Sequence, residues 1–355
     1  MDLFSSIQQR VPFFVFRKFI QLHGMPSGQG YTGIFTAIES LTDQVLKARY
    51  VDLLLSMYTD HLNFGEKQLS LFRLENDQHA ALLEILPGLT PEEGVASTEF
   101  PFYLDEADLL ASSSEPTLVS VEGDDDGYTL TYWSKRFFTE RVDVELEELD
   151  EEFQDRYKDF EEILAIRKRY RQFFDVVRVP RSRSEIEVRI DSPGHMRKKD
   201  VEIAEEKIEQ VLQSLLGYAL RGGVATLTSV NFFPLIDKLS KSTEGRICEL
   251  GFITDGGGVK SSKMRRYEDD LRNEAYHKEG SKAAIITPYK IGVRWQLARS
   301  AEVVSNPELF IAGSARQLNG ANAPVVKTAT IAKCIDADDF NFVYKIVDQY
   351  LNSVN

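Results

Sequence analysis

The sequence predicts an α+β fold: a helical amino-terminal domain followed by a mixed-sheet carboxy-terminal domain with flanking helices. Apolar residues recur at helical spacing through the first hundred residues, whereas β-branched and aromatic runs dominate after residue 181. The composition, 43% hydrophobic and 28% charged residues, is typical of a globular chain with a sizeable core. Its 355 residues exceed one ordinary core, so we expect two domains.

We expect this division at specific boundaries. A helical acidic domain should occupy residues 1–104, and an acidic loop or linker should occupy residues 105–127. A strand and a long connecting helix should follow over residues 128–180. A mixed α+β domain should take residues 181–355.

The first segment is predicted to be all helical. From Ile34 to Leu62 the apolar side chains recur every three to five residues, as on the buried face of a helix. The run Thr90-Pro91-Glu92-Glu93 has the form of a capping box with proline in the first turn, and it predicts a further helix start there. The acidic stretch from Asp105 to Gly127 lacks periodicity and predicts a loop. Asp124 to Asp126 lie in it, but the late Glu of a calcium loop is absent, so we expect no metal.

The middle segment combines a strand with a predicted helix. Tyr128 to Trp133 alternates as a strand does. Val144 to Val177 carries apolar residues at helical spacing, with glutamates at its start and arginines near its end, which would complement a helix dipole. We therefore predict one long amphipathic helix.

The last segment alternates predicted strands and helices. Gly222-Gly223 is a typical helix stop after the first of these helices. Strands are expected at Glu185–Ile190, Val224–Val230, Arg246–Ile253, Ile285–Trp295 and Val325–Ile331, and helices at Asp200–Leu220 and Asp338–Leu351.

Charge is distributed unevenly along the chain. Of the net charge of -14, residues 1–150 contribute 10 basic against 26 acidic residues, and residues 151–355 contribute 32 against 30. Such asymmetry suggests two surfaces with different partners, although solubility alone would also account for it. Two cysteines, Cys248 and Cys334, are too few for a disulfide framework or a cysteine zinc site. With no signal peptide and no apolar run of membrane-spanning length, we expect a cytoplasmic protein without membrane contact.

One short motif offers catalytic chemistry. Arg272-Asn273-Glu274-Ala275-Tyr276-His277 resembles the signature of HEPN ribonucleases, in which an arginine precedes a histidine by five positions. The resemblance covers these six residues. It implies metal-independent RNA cleavage, with Arg272 and His277 aligning the ribose 2′-hydroxyl and stabilising the phosphate. HEPN domains are helical bundles, whereas strands are predicted on both sides of this motif.

Two other patterns suggest phosphate chemistry. The glycine-rich stretch from Thr254 to Lys263 is expected between a strand and a helix, where phosphate cradles occur, but Val259 stands where a P-loop requires glycine. Glu205-Glu206-Lys207, with Asp191 upstream, has the spacing of metal-dependent nucleases but falls in a predicted helix. We expect no cofactor.

Two basic tracts point to nucleic acid, because lysine and arginine among polar and aromatic neighbours suit contact with phosphates. The alternative is that these charges form a solvated helix face. The candidate nucleic-acid-binding residues are Arg167, Lys168, Arg169, Arg171, Arg181, Arg183, Lys260, Lys263, Arg265 and Arg266.

The favoured functional hypothesis is a non-catalytic binding or regulatory subunit of a complex. Its acidic amino-terminal half would contact a protein partner, and the basic tracts of its carboxy-terminal half would contact nucleic acid. The alternative is a metal-independent, HEPN-like ribonuclease that uses Arg272 and His277.

Overall fold

The computed structural model describes residues 3–145, 147, 149–160, 162–193 and 196–353, and it confirms the α+β class. The helices are α1 Leu3–Arg10, α2 Phe13–Leu22, α3 Gly30–Glu39, α4 Gln44–Phe64, α5 Asn76–Ile85, α6 Val95–Glu99, α7 Glu106–Ala111, α8 Glu151–Tyr157, α9 Lys198–Ala219, α10 Phe233–Lys241, α11 Ala275–Ala283, α12 Ala315–Leu318 and α13 Ala337–Asn352.

Strands dominate the carboxy-terminal region. They are β1 Lys67–Arg73, β2 Thr117–Gly123, β3 Gly127–Asp143, β4 Leu164–Pro180, β5 Glu185–Asp191, β6 Thr228–Ser229, β7 Arg246–Thr254, β8 Val259–Lys263, β9 Ile286–Arg294, β10 Leu297–Ala298, β11 Val304–Ser305, β12 Glu308–Ala312 and β13 Thr328–Ala332.

One large sheet organises the molecule. Its strand order is β2-β3-β4-β5-β1-β13-β12-β9-β7-β8, with β6 paired beside β1, while β10 and β11 form a separate ribbon. The described pairings are antiparallel. In the middle of the sheet, Leu69 of β1 faces Arg189 of β5 on one side and Ala329 of β13 on the other.

Three apolar clusters cover this sheet. The amino-terminal helices pack around Phe16, Ile38 and Leu54. Helix α9 lies on the apolar face of β4 and β5 through Ile208 and Leu212, and helices α10 and α13 close the remaining strands. Strand β5 alternates apolar residues toward α9 with charged residues on its other face, and all seven of its residues are buried.

The sequence predicts an all-helical amino-terminal segment, but this segment also contains a strand. Lys67–Arg73 forms β1, whose alternation of polar and apolar side chains is short and lies between two helices. The predicted helix from Ile34 to Leu62 is two helices, because Asp43 caps α4 by accepting hydrogen bonds from the Val45 and Leu46 amides. The capping-box prediction at Thr90 is also wrong, since the next helix begins at Val95 after Gly94.

The long helix predicted from Val144 to Val177 is wrong. Among the described residues of this stretch, Glu151–Tyr157 is the α-helix, and Leu164–Pro180 is the strand β4. The basic residues Arg167, Arg169 and Arg171 alternate as on one face of a strand, and the β-branched Val176, Val177 and Val179 favour a strand. The stretch predicted as a loop from Asp105 to Gly127 contains α7 and β2.

The later elements match the sequence more closely. The predictions of β5, α9, β7, β9 and α13 are confirmed within one or two residues. The strand expected at Val224–Val230 shrinks to Thr228–Ser229, and the one expected at Val325–Ile331 is Thr328–Ala332. Among the described residues, no helix combines the length and the apolar character that crossing a bilayer requires.

Candidate nucleic-acid interface

Strands β3 and β4 form a hairpin that extends beyond the sheet. They pair along their whole length, from Gly127 with Pro180 to Asp143 with Leu164. Strand β2 pairs with β3 only as far as Trp133, and β5 pairs with β4 only over Val176–Arg178. Residues 136–143 and 164–171 therefore form a two-stranded ribbon, here called the arm, and no described strand pairs with its outer edges.

Charge along the arm changes sign at its end. The arm carries six basic and two acidic side chains, whereas the connecting residues 144–163, here called the tip, carry ten acidic and two basic residues. All seven arm residues from 164 to 170 are exposed. The hairpin thus presents a positive ribbon that ends in a negative segment.

One face of the arm is rich in arginine. Facing residues of an antiparallel pair share a face, so Arg167, Arg169 and Arg171 lie on the same side as Glu140 and Phe138. Glu140 pairs with Arg167 and also with Arg169, whose Nε lies 3.0 Å from its Oε2. These two guanidinium groups lower the pKa of the Glu140 carboxyl below its ordinary value. One carboxylate thus serves two cations, and this face keeps a positive excess.

The opposite face interleaves cations with aromatic rings. Phe137 faces Tyr170 across the arm, and their ring centroids are 6.4 Å apart. The Lys168 ammonium lies 4.9 Å from the centre of the Phe137 ring, and the Lys135 ammonium lies 5.4 Å from that of Tyr170. These distances are within the range of cation–π attraction.

Two buried carboxylates hold the root of the arm, where β4 diverges from β5. Asp191 accepts a hydrogen bond from the Phe174 amide at 3.2 Å, and Asp175 accepts one from the Asp191 amide at 2.9 Å. Arg136 pairs with Asp175 and donates to the Asp191 carbonyl. The carboxylates thus take the place of ladder hydrogen bonds that the splayed strands cannot form.

Cations from the amino-terminal segment complete this root. Arg10 pairs with Asp191, and the Lys67 ammonium lies 3.5 Å from Asp191 Oδ1 and donates to the Phe174 carbonyl at 2.8 Å. Burial alone would raise the pKa of Asp191, but Arg10 and Lys67 outweigh it and lower that pKa to about 2. Burial lowers the pKa of Lys67 to about 8, against the pull of Asp191. This network joins α1, β1, β4 and β5.

The structure separates the two predicted basic tracts. Arg167, Lys168, Arg169 and Arg171 lie together on the arm, whereas β8 forms the opposite edge of the sheet. Seven strand intervals lie between β4 and β8, or about 34 Å at the usual strand spacing. The residues at the β8 edge are Lys260 and Lys263, followed in the chain by Arg265 and Arg266.

Two predicted residues belong to neither surface. Arg183 pairs with Glu187, Asp348 and the Tyr344 hydroxyl, so it ties β5 to α13. The Arg181 guanidinium lies 4.6 Å from the ring centre of Tyr128. Both side chains hold the hairpin base to its surroundings.

Some arm residues were missing from the sequence prediction. Arg136, Phe137, Phe138 and Arg141 all lie on β3, opposite the predicted basic run. The signal was present in the stretch 135–141, in which basic and aromatic residues mix as they do in 167–171. Because the sequence predicts a helix for the second run, nothing in it pairs the two stretches.

The glycine-rich stretch from Thr254 to Lys263 is a β-hairpin. It connects β7 directly to β8, with Gly257 at φ +77° and the Gly258 amide bonded to Thr254 Oγ1 at 3.1 Å. No helix begins after it within these described residues, so the predicted strand-to-helix cradle is wrong. Its glycines serve a turn, which needs the left-handed backbone conformation at Gly257.

Arg272 holds a loop in place. Its Nε lies 3.0 Å from both carboxylate oxygens of Asp270, and its terminal nitrogens donate to the carbonyls of Ser242, Glu244 and Gly245. His277 lies in α11 with its ring edge toward Phe252, 5.6 Å between centroids, and burial lowers its pKa. The motif precedes and begins a helix, because Glu274 caps α11.

The nuclease-like carboxylates point to different neighbours. Asp191 is buried at the root of the arm, whereas Glu205 on α9 accepts hydrogen bonds from Ser70 and Gln68. Lys207 pairs with Glu115 at 2.8 Å. In the described part of the chain, no three His, Cys, Asp or Glu side chains are arranged to hold a metal ion, and both cysteines are buried and free.

The arm is the surface that best combines cations, aromatic rings and exposure. It has the components of a nucleic-acid interface: point charges for phosphates and flat rings for bases. Neither the models of known protein families nor the curated proteins gave a match to this chain.

Proposed function

We propose that this protein is a non-catalytic nucleic-acid-binding subunit and that the arm is its nucleic-acid interface. The observation that carries the proposal is a projecting two-stranded ribbon with six basic side chains, among them Arg167, Lys168 and Arg169. Cations that approach phosphates release condensed counterions, which makes binding favourable and salt dependent. A ribbon with two free edges can approach a nucleic-acid strand from either side.

The test compares two variants with the same change in net charge. The arm variant carries Arg167→Gln, Lys168→Gln and Arg169→Gln, and the edge variant carries Lys260→Gln, Lys263→Gln and Arg265→Gln at the opposite side of the sheet. Fluorescence anisotropy with a labelled 20-nucleotide strand measures the affinity of the full chain between 50 and 200 mM salt.

We expect the arm variant to bind at least about tenfold more weakly, and with a shallower salt dependence, because each lost phosphate contact lowers the slope by about 0.7 to 0.9. The edge variant should stay within about twofold of the unmodified protein. Equal losses in both variants would mean that net charge alone governs binding. Absence of salt-sensitive binding by the unmodified chain would overturn the proposal.

We also propose that the acidic amino-terminal half contacts a basic protein partner. The support is the excess of acidic residues over residues 1–150, which would attract a positive surface at long range. Cross-linking of carboxylates to amines in cells, followed by mass spectrometry, should place the partner's lysines on this half. Cross-links confined to residues 181–355 would contradict the assignment.

A further inference from the structure

A small cavity lies at the base of the arm, between the arm and helix α9. Its volume is about 180 Å³, and its lining includes Phe137 and Tyr170 from the arm, Ile203 and Ala204 from α9, and Ser134 from β3. Sites for drug-sized ligands usually measure roughly 300–1,000 Å³. This cavity therefore suits a single planar ring system.

Ser134 is one of the residues that line this cavity. Its side chain is buried, with the residue only 2% exposed, and its hydroxyl has no hydrogen-bond partner in the described structure. A buried hydroxyl without a partner costs free energy, so such groups call for an explanation. Ser134 lies on the same face of β3 as Phe138, away from Phe137 and Tyr170, so this hydroxyl is given no part in ligand binding.

The aromatic pair supplies a stacking platform at the cavity. Tyr170 is 42% exposed, and the Lys168 ammonium and the Arg197 guanidinium lie 4.9 Å and 5.8 Å from the centre of the Phe137 ring. Flat rings bind the π-faces of nucleobases, and neighbouring cations attract the phosphates that link them. The cavity thus brings together aromatic rings and positive charge.

We propose that this cavity holds one unpaired nucleobase, so that the arm binds single-stranded rather than double-stranded nucleic acid. This inference rests on the proposed function of the arm. A base within a duplex is covered by its neighbours and paired on its edge, so it reaches a pocket only after costly extrusion. A single strand presents both the ring face and the hydrogen-bonding edge without that cost.

The test uses the full chain and two matched leucine variants. Tyr170→Leu removes a ring from the cavity, and Phe138→Leu removes a ring from the opposite face of the same arm, where Arg171 lies over it at 4.8 Å. Anisotropy is measured with 12-nucleotide deoxythymidine and uridine strands, with a duplex of mixed sequence and with a deoxythymidine strand that carries abasic sites. Thermal unfolding verifies that both variants fold.

We expect Tyr170→Leu to weaken binding of the single strands about tenfold, in line with the loss of one stacked base. Phe138→Leu should stay within about twofold. The unmodified protein should prefer the intact single strand to the abasic strand, and Tyr170→Leu should lose that preference. A deoxythymidine strand and a uridine strand that bind equally would assign recognition to the base rather than to the sugar.

The outcomes separate this inference from the proposed function. Equal binding of duplex and single strand, or equal effects of the two leucine variants, would overturn the nucleobase site while loss of binding in the arm variant would still support the arm. Failure of the unmodified chain to bind any of these probes would overturn both.

Discussion

Single buried charges decide where the arm leaves the sheet. Asp175 and Asp191 accept backbone amides at the point of divergence, and Arg10, Lys67 and Arg136 neutralise them. Removal of one partner from such a network leaves an uncompensated buried charge, which typically costs about 3–5 kcal/mol. The network therefore specifies the geometry of the arm more than it adds net stability.

A buried histidine near this root makes stability depend on pH. Burial, together with the positive charges of Arg10 and Lys67, lowers the pKa of His61 to about 3. In the unfolded chain the imidazole has a pKa near 6.5, so below about pH 6.5 the unfolded state binds a proton that the folded state does not. This contribution to stability is complete above pH 6.5 and is lost as the pH falls toward 3.

We expect acidification from pH 7 to pH 5 to cost about 2 kcal/mol of unfolding free energy through His61. In His61→Gln this part of the pH dependence should disappear, whatever the stability of the variant at pH 7. Urea denaturation of both proteins at the two pH values measures the difference. The same pH dependence in both proteins would show that the imidazole titrates normally when folded.

Arg272 is expected to act through structure. Arg272→Ala should lower the unfolding free energy by about 1–3 kcal/mol, because the carbonyls of Ser242 and Gly245 and the Asp270 carboxylate lose their charged donor. His277→Ala should have a smaller effect. Chemical denaturation measures both, and an RNA cleavage assay in EDTA serves as the control. Metal-independent cleavage by the unmodified protein that both substitutions abolish would instead support the ribonuclease alternative.

Among the elements, the β3–β4 hairpin shows most clearly what local patterns leave open. The alternation in Glu185–Asp191 and the helical spacing in Lys198–Ala219 each fit one secondary structure, and both were predicted. From residue 144 to 177 the apolar residues fit a helical period. The first seven residues of β4, however, are exposed and pack against no core. The β-branched residues near its end favour a strand, and the pairing with β3 along its whole length identifies β4 as one.

The exposure of one aromatic and one aliphatic residue tests the helix predicted for residues 144–177. The helix interpretation would bury Phe153 and Leu164, but they are 44% and 43% exposed. We therefore expect Phe153→Asp and Leu164→Asp each to change the unfolding free energy by less than about 0.5 kcal/mol. Phe174→Asp, at a fully buried position of β4, should destabilise by several kcal/mol. Urea midpoints measure all three, and large losses at Phe153 and Leu164 would restore the helix.

At the scale of the whole molecule, the candidate site was only partly predictable. The sequence predicts four of its cations as one basic run, although within a helix. Their aromatic partners Phe137 and Phe138 lie on the other strand of the hairpin. The β8 residues seemed to belong with them because charge patterns along a sequence contain no distances. Likewise, nothing local in Lys67–Arg73 indicates that it pairs with β5 and β13.

The central position of β1 in the sheet leads to a test of the predicted boundary between residues 1–104 and the rest of the chain. We expect residues 105–355, expressed without residues 1–104, to lack a cooperative unfolding transition, since β5 and β13 lose their shared partner and Asp191 loses Arg10 and Lys67. Coexpression of the two segments should restore it. Calorimetry measures the transition, and a cooperative melt of residues 105–355 alone would establish them as an independent unit.

The position of β1 in the sheet also affects when the chain can complete its fold during synthesis. Lys67 of β1 pairs with Ile331 of β13. One edge of β1 therefore stays unpaired until a segment about 260 residues downstream has been synthesised. At roughly 5–20 residues per second, that interval on the ribosome is on the order of 13–50 s. During that interval the segment that holds Leu69 and Leu71, which are buried in the folded chain, has no β13 to pair with, and unpaired strand edges make incomplete chains prone to aggregation.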